Sequence, residues 1–213
     1  MTSAQTAFRP SEHGFRFPNR FKFSHTLILP LVGAVELGEI VYGLCGGMCF
    51  ASVDYYHTHR PVPKRTTVPP SGGQLRKYLT DRQIHSLVPP AGIEKVIKWT
   101  LEDDKYVAQR TADREFGKLR KELAADRPAT LALIRVNELG QSTKNHQVVA
   151  VGYEFDEASQ ELTIDLYDPN YPMQQPSLQM TFTDPSGSLH ASQSTGEPLR
   201  GFFVIDYKPR TPP

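Results

Sequence analysis

The chain has 213 residues, long enough to bury a core without disulfides or metals to hold it together. Its 24 lysines and arginines stand against 23 acids, and a formal charge of +1 gives no electrostatic reason to expect nucleic acid or an anionic membrane as partner. Two cysteines, Cys45 and Cys49, exclude a disulfide-stapled scaffold, and no run reaches the roughly 18 apolar residues that span a bilayer.

Residues 1–24 mix Pro, Ser, Arg and Phe without the apolar run of a signal peptide, and read as an extended or disordered arm. The alternation of Phe15, Phe17, Phe21 and Phe23 lays part of that arm on the domain surface. A cytoplasmic location is the default, with signal-independent export left open. The domain proper is expected over 25–208, followed by a tail at 209–213.

Within the domain, HTLILPLVGAVE (25–36), broken by Pro30 and Gly33, reads as buried extended chain. Gly43 to Gly47 opens a helix over about 45–58, and RPVPKRTTVPPSG (60–72) is a proline-rich loop. A helix from Gln74 to Leu87 places Leu75, Tyr78, Leu79 and Leu87 on an apolar side and is ended by Pro89 and Pro90. A helical region over about 91–125 carries Ile93, Val96, Ile97 and Trp99, then Val107, Phe116, Leu119 and Leu123, with Asp103-Asp104 dividing it. The interspersed charges of its second half read as a solvated outer face.

After Pro128 the texture becomes β-branched and aromatic, giving strands at 129–136, 146–155, 161–168, 177–183 and 201–207. Helices first and strands afterwards argue an α+β fold, N-terminal helices packed on a C-terminal antiparallel sheet, against a βαβ parallel one.

Three local features carry chemistry. In GLCGGMCFA, the Cys45 thiol falls at a helix N-terminus, where unpaired N–H groups and the helix dipole favour the thiolate. Gly46 and Gly47 let a substrate carbonyl approach the backbone. His146 opens the strand in KNHQVVAVGYEFD, and Asp168 ends the one in DLYDPNYP. If those strands form a hairpin, Asp168 returns beside His146 and fixes its tautomer. Singly, each has an ordinary reading: a cysteine buried beside a turn, a satisfied histidine, an Asp-Pro-Asn turn. Together they meet the demands of nucleophilic catalysis. Cys49, one helical turn on, reads as a packed small apolar residue.

No metal and no cofactor is expected. Cys45, Cys49 and His57 spread over three turns of one helix, too far apart to join His59 around one tetrahedral ion. The Gly-rich GLCGG lacks the Lys-Ser/Thr of a phosphate loop.

The same motifs resemble the papain-like cysteine peptidases, in particular the bacteriocin-processing branch. The matching residues are Cys45-Gly46 at a helix start, His146 with Val148, Val149, Gly152 and Tyr153, and Asp168-Pro169. The GLCGGM set is also similar to a group of microbial papain-like proteins. The resemblance spans about residues 36–207 and implies a papain-like fold with a Cys45–His146–Asp168 triad, Asn170 being the other residue that fits the third place. It implies a thiol-dependent hydrolase or acyltransferase whose partner is a peptide or protein substrate, cut at peptide or isopeptide bonds. One departure stands out. Glu39 occupies the position, six residues before the nucleophile, where papain-like enzymes carry the glutamine that donates to the oxyanion. That departure keeps a second reading open, a catalytically silent papain-like domain used as a binding or scaffold module.

Overall fold

The computed structural model of the chain describes residues 1–22, 27–29, 33–35, 41–87, 92–182 and 189–213. Its first elements are β1 (Thr2–Gln5), α1 (Pro10–His13) and β2 (Phe21–Lys22). Three short strands follow, β3 (Leu27–Leu29), β4 (Gly33–Val35) and β5 (Val41–Tyr42), with β2 pairing β5 and β3 pairing β4.

Two helices come next, α2 (Cys45–His57) and α3 (Gln74–Leu87), joined by the irregular proline-rich stretch. The predicted helical region is divided into α4 (Ile93–Leu101) and α5 (Asp104–Arg110). Asp103 marks the break as an N-cap, its Oδ1 accepting from the Tyr106 N–H at 2.7 Å. A π-helical turn (Thr111–Glu115) then leads into α6 (Phe116–Ala124). Its widened backbone serves a contact: Thr111 donates to the Val107 carbonyl and accepts from the Phe202 N–H at 3.2 Å.

The rest is sheet: β6 (Ala129–Ile134), β7 (His146–Asp156), β8 (Glu161–Tyr167), β9 (Ser177–Thr181), β10 (His190–Gln193) and β11 (Gly201–Val204). All pairs are antiparallel, in the order β10-β9-β8-β7-β6-β11. The long β7 pairs β8 along one edge. Its other edge is shared, with Ala150 opposite Ala129 of β6 and then Gly152 opposite Gln5 of β1. Between these two partners the β7–β8 ladder shifts register at Val151, whose carbonyl accepts from the Thr6 N–H at 2.8 Å.

Both faces of this sheet are covered, which explains why its central strands are continuously apolar. On one face Phe116, Leu119 and Leu123 of α6 pack with Leu131, Leu133, Val148, Ala150 and Phe202. On the other, α2 lays Phe50 against Ala132, Ile134 and Phe203, and Cys49 and Val53 against Val149, Val151 and Tyr167. The fold is therefore a mixed helix and antiparallel-sheet one, although β1 puts a strand of the main sheet ahead of the helices. Among the described residues no helix is long and apolar enough to cross a membrane.

Four expectations need correction. The N-terminal residues are part of the fold and not an arm: β1 is a strand of the main sheet, and Phe8, Phe15, Phe17 and Phe21 are fully buried. Phe23 lies outside the described residues. Residues 209–213 are likewise docked, with the Arg210 N–H donating to Asp54 and the Arg60 side chain to the Pro212 carbonyl. Finally, α3 buries Arg76, Arg82 and Ser86 as well as Leu79, because its inner face meets the buried Asp54 of α2 and not only hydrocarbon. The charged second helical half also turns one acid inward: Glu115 accepts from Lys95 at 2.8 Å, from Lys118 at 3.1 Å and from the Val204 N–H at 3.0 Å.

Candidate active site

The start of α2 has no side-chain cap of its own, so its free N–H groups are taken up by neighbours. Leu44 N–H donates to Asn19 Oδ1 at 2.5 Å, and Gly47 N–H to Gln83 Oε1 at 2.9 Å. The Cys45 thiol is half-buried, and the backbone amides of Gly46 and Gln147 help to stabilise its charged form. Burial alone would raise this thiol. The hydrogen bond and charge of His146, with the two amide donors, more than offset that and hold Cys45 below the ordinary thiol range.

Gly46 and Gly47 are buried, and their missing side chains are explained by packing. A Cβ on Gly46 would fall 2.2 Å from both Gln147 Oε1 and Ser86 Oγ, and one on Gly47 only 2.1 Å from the Leu79 carbonyl oxygen. The two glycines let α2 approach α3 and β7. Four residues along, Cys49 is fully buried and donates to the Gln147 carbonyl at 3.3 Å, and burial pushes its thiol well up. Gln147 of β7 thus acts on both cysteines, its carbonyl accepting from Cys49 and its amide helping to lower the Cys45 thiol.

His146 pairs with Leu133 at the start of β7, and Val149 pairs with Tyr167 at the end of β8. The hairpin brings Asp168 back beside the histidine, as the sequence reading requires. His146 Nε2 lies 2.7 Å from Asp168 Oδ1, and both residues are buried. Burial would lower the imidazole; the Asp168 carboxylate, with Cys45 on its other side, raises it to about 9. Asp168, in turn, is held below the ordinary carboxylate range against its burial by His146, the Asn170 N–H and the charge of Arg135. With Nε2 on Asp168, the remaining nitrogen Nδ1 is the one available to the thiol. These directions favour a thiolate beside an imidazolium backed by a carboxylate.

Asn170 is exposed and does not take the place of Asp168. Its N–H donates to Asp168 Oδ1 at 2.8 Å, and its side-chain oxygen accepts from Asn19 Nδ2 at 3.2 Å. Glu39 lies outside the described residues.

Several contributors carry no local sequence signal. Asn19 bridges the two halves of the site, since its own N–H donates to the Pro169 carbonyl at 3.0 Å while its amide spans Leu44 and Asn170. Gly43 makes room for it, as a Cβ there would sit 2.2 Å from Asn19 Nδ2. Gln193 of β10 donates to Asp168 Oδ2 at 3.2 Å and accepts from Arg135 Nη2 at 2.7 Å. Gln83 caps α2 from α3. Nothing short of the assembled fold links these residues to Cys45. No protein-family model, no curated protein and no solved structure matches the chain.

Proposed function

We propose that this protein is a papain-like thiol hydrolase or acyltransferase acting on peptide or isopeptide bonds. The observation that carries the reading is the line Cys45–His146–Asp168, with the thiol's pKa lowered and the imidazole's raised at the N-terminus of a buried helix. Cys45 Sγ attacks the carbonyl carbon, and the carbonyl electron pair moves to oxygen. The N–H of Cys45, at the first position of α2, faces that developing charge with the positive end of the helix behind it. Collapse of the intermediate breaks the C–N bond as the His146 imidazolium passes its proton to the leaving amine. The acyl group stays on sulfur as a thioester. Neutral His146 then takes a proton from water or from an acceptor amine as that nucleophile attacks the thioester carbon, and the C–S bond breaks to return the Cys45 thiolate, giving hydrolysis or transfer. Asp168 keeps Nε2 protonated throughout and so presents Nδ1 to the thiol.

Iodoacetamide at about pH 6, followed by mapping of the modified peptide, tests the thiol. Cys45 is expected to react well before Cys49. Equal rates, or Cys49 first, would overturn the assignment. A panel of peptide, ester and isopeptide substrates, with Cys45→Ala as control, tests turnover. Reactive Cys45 without turnover of any of them would make the domain a binding module.

A further inference from the structure

Asp168 is the inner end of a hydrogen-bond chain whose polarity is fixed from outside. Arg135 Nη2 donates to Gln193 Oε1 at 2.7 Å, and Gln193 Nε2 donates to Asp168 Oδ2 at 3.2 Å. A guanidinium has donors only and does not give up its charge in a protein. Gln193 must therefore turn its oxygen to Arg135 and its nitrogen to Asp168; the flipped amide would set two donors face to face. Every contact of Asp168 is then an acceptance, from Gln193, from the Asn170 N–H and from His146. That requirement places the proton on His146 Nε2.

The chain is anchored at both ends. Gln193 is 4 % exposed, too buried for its amide to trade these partners for water. The Arg135 N–H donates to Asn145 Oδ1 at 2.9 Å, so the arginine's backbone is tied to the residue before the base. The Arg135 charge also helps keep Asp168 ionised.

We infer that Arg135 and Gln193 are positioning residues that set the tautomer and sustain the charge of the catalytic histidine through Asp168. This rests on the triad reading above and adds to it a source of direction outside the triad. The measurement is the rate of Cys45 alkylation by iodoacetamide against pH, in the full chain, with thermal melts to verify folding. Gln193→Met and Arg135→Met should move the acid limb of the profile up by about one unit, which is about tenfold slower alkylation on that limb. Arg135→Lys, still a cationic donor that cannot accept, should stay within about twofold of wild type. If Gln193→Met does not fold, the Lys and Met variants at position 135 decide. A wild-type limb below that of a free thiol that survives in the Met variants would overturn the relay and leave the triad standing, and so would a Lys variant that shifts as far as Met. A wild-type Cys45 that titrates like a free thiol would sink both.

Discussion

Asp54 anchors α2, the helix that carries Cys45, and its replacement has a cost that can be worked from its contacts. The carboxylate is fully buried. Its oxygens lie 2.7 Å from Arg82 Nε and accept from Tyr78 at 2.7 Å, Tyr207 at 2.7 Å and the Arg210 N–H at 2.8 Å. Asp54→Asn keeps the shape but removes the charge and turns an amide nitrogen toward a set of donors. Arg82, 1 % exposed, would keep the Lys208 carbonyl at 3.0 Å and the faces of Phe50 and Tyr207, none of which balances its charge. Leaving one partner of a buried pair uncompensated costs about 3–5 kcal/mol. Stabilities of whole domains are about 5–15 kcal/mol, so this is a large share. At about 2–4 °C per kcal/mol for a domain of this size, the melting temperature should fall by roughly 6–20 °C.

Urea unfolding of wild type and Asp54→Asn, compared at equal m-value, measures the cost directly. The double variant Asp54→Asn with Arg82→Met should recover part of the loss, because methionine leaves no uncompensated charge buried at position 82. A single-variant cost below about 1 kcal/mol would refute the argument. So would a double variant less stable than the single one, since it would show that Arg82 holds the fold by packing alone.

Gly47→Ala should destabilise by about 1–3 kcal/mol in the same assay, although alanine favours helix by about 1 kcal/mol, because its methyl meets the Leu79 carbonyl and not a movable side chain; a gain in stability would refute the close α2–α3 approach. The pH dependence of stability is best read in Cys45→Ala. A raised His146 pKa contributes stability that is complete below about 6.5 and is lost as pH rises through the folded value, which in this variant lies below the wild type's value of about 9 because Cys45 supplies part of that rise. The wild type should lose less over the same range, since its folded thiol gives up the proton that its imidazole takes. A flat profile in Cys45→Ala would contradict the buried imidazolium.

What the sequence made legible was what is local. The α3 boundaries follow from proline and the apolar spacing of Leu75 and Leu79. The His146–Asp168 meeting follows from hairpin logic, since each residue sits at a strand end. The chain's first residues were misread because TSAQ in β1 has no apolar alternation and is paid no attention by a hydrophobic pattern, while Phe15, Phe17 and Phe21 are buried by irregular backbone that obeys no period. Gln193 and Arg135 were silent for another reason. A neutral amide on the short strand HASQ, and an arginine at the end of an apolar one, acquire meaning only when β10 and β6 bring them to Asp168. Gly46 and Gly47 stood out in the sequence, and their physical cause is the approach of another helix.

The pairing of β1 with the far half of β7 has a consequence for synthesis. Thr2 pairs with Phe155 and Gln5 with Gly152, so the earliest-translated of these strands waits for one made about 150 residues later. Until then the emerging polypeptide carries Phe8 without Val149, Val151 and Tyr167, the residues it is buried against in the finished protein. Such exposed aromatics are what holdase chaperones bind and what drives nascent chains to clump. The site is assembled on the same schedule, because the segment that delivers Asn19 to Leu44 and Asn170 cannot be fastened until β7 and β8 exist. Cys45 is thus translated well before the strands that carry His146 and Asp168.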